Sequence, residues 1–107
     1  MMPQPYDHAL AAEVVRDAFR ACTVRPGEFW CDEYDGATYF RLAPAARITE
    51  ENAGIWAFRC RLLRKQLQAI FPAHRWVLVV YAAPASPEFW VQEVARRLNR
   101  LGNAEQL

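Results

Sequence analysis

Asp35-Gly36 constrains this chain more than any other pair of residues. It sits between Phe29-Trp30-Cys31-Asp32-Glu33-Tyr34 and Ala37-Thr38-Tyr39-Phe40-Arg41-Leu42. Both flanks are aromatic and β-prone, and Asp-Gly supplies the two left-handed residues that a tight hairpin needs. A two-residue turn predicts Tyr34 opposite Ala37, Asp32 opposite Tyr39, Cys31 opposite Phe40 and Trp30 opposite Arg41. One face then carries Phe29, Cys31, Phe40 and Leu42 as a core face. The other carries Trp30, Asp32, Tyr34, Tyr39 and Arg41. A three-residue turn with a bulge would shift the register by one and abolish that division.

The segments around the hairpin read as helices and one further strand. Asp7 is an N-cap candidate for a helix to about Cys22, with Leu10, Ala11, Val14, Val15, Ala18, Ala21 and Cys22 on one arc. Arg25-Pro26-Gly27 ends it. Thr49, followed by Glu50 and Glu51, is expected to cap a second helix that Pro72 stops near Phe71. Gly54 within it either permits a close backbone contact or precedes the regular helix. Residues 74–81 form the third strand. Its run Trp76 to Tyr81 is continuously apolar, which predicts cover on both faces and helices above and below. Ser86-Pro87-Glu88 opens a last helix to Leu101, closed by Gly102-Asn103. The order is α-β-β-α-β-α. The fold class is α+β, a three-stranded mixed sheet with helices packed on it, the second and third strands parallel through a right-handed crossover.

At 107 residues the chain is read as one domain, 1–107, with loose termini at 1–6 and 103–107. A hydrophobic content of 53% excludes a disordered chain. No apolar run approaches the ~18 residues of a membrane helix. Met1 to Pro5 shows neither the basic segment nor the apolar stretch of a signal peptide. Cys22, Cys31 and Cys60 are odd in number and far apart, so neither a disulfide framework nor a zinc site is expected. The expected location is cytoplasmic, with no membrane contact.

Charge is unevenly placed. Residues 1–52 hold nine acids and five arginines, a formal −4, whereas residues 53–107 hold eight bases and three acids, a formal +5. Twelve of the thirteen bases are arginine, the residue suited to planar recognition of carboxylate and phosphate. A GC-rich genome would produce the same bias, so the asymmetry indicates a polar partner surface without naming it.

Catalytic motifs are missing. The four glycines stand alone, which leaves no phosphate loop, no dinucleotide fingerprint and no Gly-x-x-Gly loop of a KH-type RNA domain. His8 and His74 sit at element starts, where surface or capping roles suffice. No spacing joins Cys31 to His74 as nucleophile and base. Asp32, Glu33 and Asp35 lack the loop of a calcium site. The chain is therefore expected to be no enzyme and to carry no metal or cofactor.

Binding surfaces are better represented. Fourteen aromatics exceed what so small an interior holds. On the hairpin's second face Trp30, Tyr34 and Tyr39 stand beside Arg41, a set suited to stacking on bases or to anchoring a protein, unless a helix covers it. The second helix carries two apolar stripes, Ile55-Phe58-Leu62-Ala69 and Trp56-Leu63-Leu67-Ile70, with Arg59 and Gln66 between them. Arg59 either pairs with a carboxylate or reaches out between two packing neighbours. Arg61 and Arg64 lie on its wet side. In the last helix Phe89 falls among polar residues near Arg96 and Arg100. The expected partner-binding set is Trp30, Tyr34, Tyr39, Arg41, Phe89, Arg61, Arg64, Arg96 and Arg100. The expected function is a non-catalytic protein–protein interaction module, a regulator, adaptor or inhibitor, with homo-oligomers included. The alternative is a nucleic-acid-binding module using the arginine helices or the aromatic hairpin face.

Overall fold

The computed structural model describes residues 5–85. They form helix α1 (His8–Ala18), strands β1 (Pro26–Tyr34) and β2 (Ala37–Pro44), helix α2 (Ala53–Ile70) and strand β3 (Trp76–Val80). The expected last helix, with Phe89, Arg96 and Arg100, lies outside the described residues.

Asp35 and Gly36 take φ values of 53° and 76°, the two left-handed residues of a type I′ turn. The register follows: Tyr34 pairs with Ala37, Asp32 with Tyr39, Cys31 with Phe40 and Trp30 with Arg41. The two-residue turn therefore holds, and so does the division into faces. β2 is the central strand, antiparallel to β1 and parallel to β3. Parallel pairing of Thr38 with Trp76, Phe40 with Leu78 and Leu42 with Val80 carries the core face across to β3.

That face holds the core. Phe40 and Leu42 are fully buried, and Phe29, Cys31, Leu78 and Val80 pack around them. Ala11, Val14, Val15 and Ala18 of α1 and Trp56, Cys60, Leu63 and Leu67 of α2 close over it. Rings run through the centre: Phe29 stacks on Phe40 at 5.2 Å, and Phe40 meets Trp76 edge-on at 6.1 Å. Trp76 in turn lies 5.8 Å from Phe71, and its indole Nε1 donates to the Phe71 carbonyl at 3.2 Å. That bond satisfies the one polar atom such a ring brings inside. Tyr6, expected in a loose terminus, packs 5.7 Å from Phe71 and belongs to this aromatic group.

α1 and α2 both cover the same sheet face, and the expected last helix, the remaining candidate to cover the other, lies outside the described residues. Three expectations are corrected. α1 ends at Ala18 rather than Cys22, because the chain turns through Phe19 to Ala21 and Ala21 takes φ 52°. Buried Phe19 fixes that turn by packing 5.2 Å from Trp56. α2 begins at Ala53, after a closed turn in which the Thr49 amide donates to Asn52 Oδ1 at 2.8 Å and the Asn52 amide to Thr49 Oγ1 at 3.3 Å. Thr49 thus starts the turn, and Asn52 occupies the N-cap. Gly54 makes no close approach, since a Cβ there would meet nothing within 4 Å. Asp7 caps α1 as expected, accepting from the Leu10 amide at 3.2 Å.

The two glycines should respond oppositely to alanine. Gly36→Ala meets open space yet forces Cβ into a left-handed residue, so unfolding in urea should show a loss of about 1 kcal/mol. Gly54→Ala, equally unobstructed and within helix, should gain about 0.5–1 kcal/mol in the same measurement.

Candidate functional site

Four of the expected binding residues lie on the second face of the hairpin. Arg41 is only 6% exposed, and its side chain is tied into the sheet. Nε donates to Asp32 Oδ1 at 2.9 Å, one terminal nitrogen donates to the Tyr81 hydroxyl at 3.1 Å, and the guanidinium lies 5.4 Å from the Tyr39 ring centre. Burial opposes the charge, but the bonds to Asp32 and then Tyr81 outweigh it and raise the pKa above the ordinary arginine value. Trp30 stacks on Tyr81 at 6.4 Å, and both Trp30 and Tyr39 are half-buried. Tyr34, beside the turn, is 41% exposed. The guanidinium expected at a partner surface thus braces the sheet, and Tyr34 is the most open ring of the group.

A second grouping lies where the hairpin turn meets the loop before β3. Glu33, Asp35, Thr38, His74 and Arg75 line an open cleft of roughly 440 Å³. Thr38 Oγ1 lies 2.9 Å from His74 Nδ1, and Glu33 Oε1 lies 3.7 Å from the same nitrogen. A hydroxyl–imidazole–carboxylate relay needs its acid and its nucleophile on opposite ring nitrogens. Here both approach Nδ1, and Thr38 is buried. The arrangement positions the loop rather than activating Thr38. Among the described residues no three His, Cys, Asp or Glu side chains are placed to hold a metal ion.

The three cysteines are unpaired. Burial, then the nearby Asp32 and Glu33 carboxylates, push the Cys31 thiol up to about 12. Burial alone pushes Cys60 up to about 11. Both shifts oppose thiolate formation at neutral pH, the reverse of what a nucleophilic cysteine requires.

The outer side of α2 differs from all of these. Of the two apolar stripes read from the sequence, Trp56, Leu63 and Leu67 are buried, joined by Cys60. The other stripe is not taken up by the described fold. Phe58 is 57% exposed, Ile55 is 38% exposed, Leu62 is half-buried and Ala69 is open. Arg59, between the stripes, donates to the Ala18 carbonyl at 3.3 Å, and its guanidinium lies 5.9 Å from the Phe58 ring centre. Among the described residues it meets no carboxylate; it closes the carbonyl end of α1. Arg61 and Arg64 are exposed, and Arg64 Nε lies 3.5 Å from the Trp76 carbonyl. Sequence reasoning found the Ile55-Phe58-Leu62 stripe but placed no binding role there. Its spacing of i, i+3 and i+7, distinct from the Trp56 stripe, was the available signal.

Asp32→Ala leaves the Arg41 charge buried and should cost about 3 kcal/mol in urea unfolding, whereas exposed Arg61→Ala should stay within about 0.5 kcal/mol. The Cys31 and Cys60 thiols stay neutral in the fold where the unfolded chain ionises them. Their contribution to stability is therefore full below about pH 8.5 and declines as pH rises toward 11 and 12. Alkylation at pH 9 should accordingly be much slower at these two positions in the folded protein than in urea. Set against known protein families, characterised proteins and solved structures, the chain has no match.

Proposed function

We propose that this chain is a non-catalytic protein-docking module, a small regulator, adaptor or inhibitor, and that α2 carries the contact. The supporting observation is Phe58, 57% exposed beside Ile55 and Leu62 on one helical face. A large ring held in water at that spacing matches the way helices present anchors to a partner's groove. Aromatic anchors of this kind carry most of the energy in protein interfaces. Arg61 and Lys65 flank the stripe as polar contacts, whereas Arg64 turns toward β3, and among the described residues Tyr34 at the hairpin end is the next most open aromatic. Trp30, Tyr39 and Arg41 serve as the rigid support of the sheet. Three unpaired thiols agree with a cytoplasmic location.

Nucleic-acid binding is the second reading. It is favoured by α2 itself, which carries Arg59, Arg61, Arg64 and Lys65 and no acid between Ala53 and Ile70. Phosphate contacts would use the cations and leave the Ile55-Phe58 stripe idle, which is why this reading ranks second.

Capture of partners from native lysate, with and without nuclease, separates the two. Docking predicts a stoichiometric protein that survives nuclease and is lost with Phe58→Ala, whose affinity should fall at least ~30-fold, or about 2 kcal/mol, with the fold intact. A partner that vanishes with nuclease, or is retained unchanged by Phe58→Ala, would refute it.

A further inference from the structure

Among the described residues, no carboxylate neutralises the cations that border the exposed stripe of α2. The helix's four charged side chains, Arg59, Arg61, Arg64 and Lys65, are all cations. On a 3.6-residue helix Arg61 and Lys65 fall three, four or seven positions from Phe58, Leu62 and Ala69, so they border the stripe on one side. Arg59 and Gln66 fall four positions from Ile55 and Leu62 and border it on the other. Among the described residues none of these cations pairs with a carboxylate; the arginine ion pairs seen there join Arg20 to Asp17 and Arg41 to Asp32. Glu50 and Glu51 precede the helix and leave its cations unpaired.

From this charge pattern we infer that the occupant of the α2 stripe is an acidic amphipathic helix of another protein, with an apolar row for Ile55, Phe58 and Leu62 and carboxylates on both flanks for Arg59, Arg61 and Lys65. The inference rests on the docking function proposed above. A second copy bound through the α2 stripe about a two-fold axis would set three cations, Arg59, Arg61 and Lys65, against three, which like-charge repulsion opposes. A polyanion such as DNA offers charge but no apolar row. An acidic helix satisfies both parts of the surface, with the carboxylates also steering encounter.

The test is a displayed library of helical peptides with a fixed Leu row and flanking positions randomised among Glu, Gln and Lys, selected against the full chain and counter-selected against Phe58→Ala. Glu-enriched flanks are the expected result. The combined Arg61→Glu and Lys65→Glu variant should weaken the selected peptide about tenfold and restore binding of its Lys-flanked counterpart. Phe58-dependent binders with neutral or basic flanks would overturn the acidic partner while leaving helix docking in place. No Phe58-dependent binder at all would overturn both. A duplex DNA oligonucleotide or phosphatidylglycerol vesicles binding more tightly than any peptide, and unaffected by Phe58→Ala, would assign the surface to a polyanion and overturn the inference. A dimer seen by sedimentation and abolished by Phe58→Asp would do the same by making a second copy the occupant.

Discussion

Two left-handed residues, Asp35 and Gly36, hold the register on which everything else is hung. Slipping one residue would turn Phe40 and Leu42 outward and bring Arg41 and Tyr39 into the core. With the register held, β2 has one face made of rings and Leu42 and another organised around a single guanidinium. β3 then copies β2 through parallel pairing, and α1 with α2 covers the face that carries the rings. Trp76 joins strand, loop and core in one side chain: its ring meets Phe40 and Phe71, and its nitrogen fastens the loop through the Phe71 carbonyl.

The arginines divide by what surrounds them. Arg41 is enclosed and neutralised by Asp32, with Tyr81 and Tyr39 beside it. Arg59 is half-enclosed and serves a backbone carbonyl. Arg61 and Lys65 are open. The same residue type therefore acts as brace, cap and solvent-facing charge. The charge asymmetry of the sequence resolves into an acidic hairpin end around Glu33 and Asp35 and a cationic α2.

What could be read in advance was local in origin. The hairpin register followed from Asp-Gly, the first cap from Asp7, and the parallel crossover from the length of chain between β2 and β3. What could not be read depended on distant partners. α1 stops at Ala18 because Phe19 finds Trp56 and Arg59 reaches the free carbonyl, neither of which is visible within residues 7–22. Periodicity showed that α2 has two apolar stripes, but only packing decides which one is buried. Alternation placed Arg41 correctly on the second face, but it could not show that the guanidinium is buried there against Asp32 and Tyr81. The readings on Phe89, Arg96 and Arg100 fall outside the described residues.

The mixed sheet also imposes an order on folding. The hairpin partners are near in sequence, so β1 and β2 can meet on the microsecond scale of isolated hairpins. Thr38 and Trp76 are 38 positions apart, and their pairing waits for the loop containing α2 to close, a slower and entropically costlier event. Until then the second edge of β2 stands open, with Phe40 and Leu42 unshielded. That interval, rather than the finished fold, is where this chain is most prone to pair with its neighbours, and the rate at which α2 folds back sets how long it lasts.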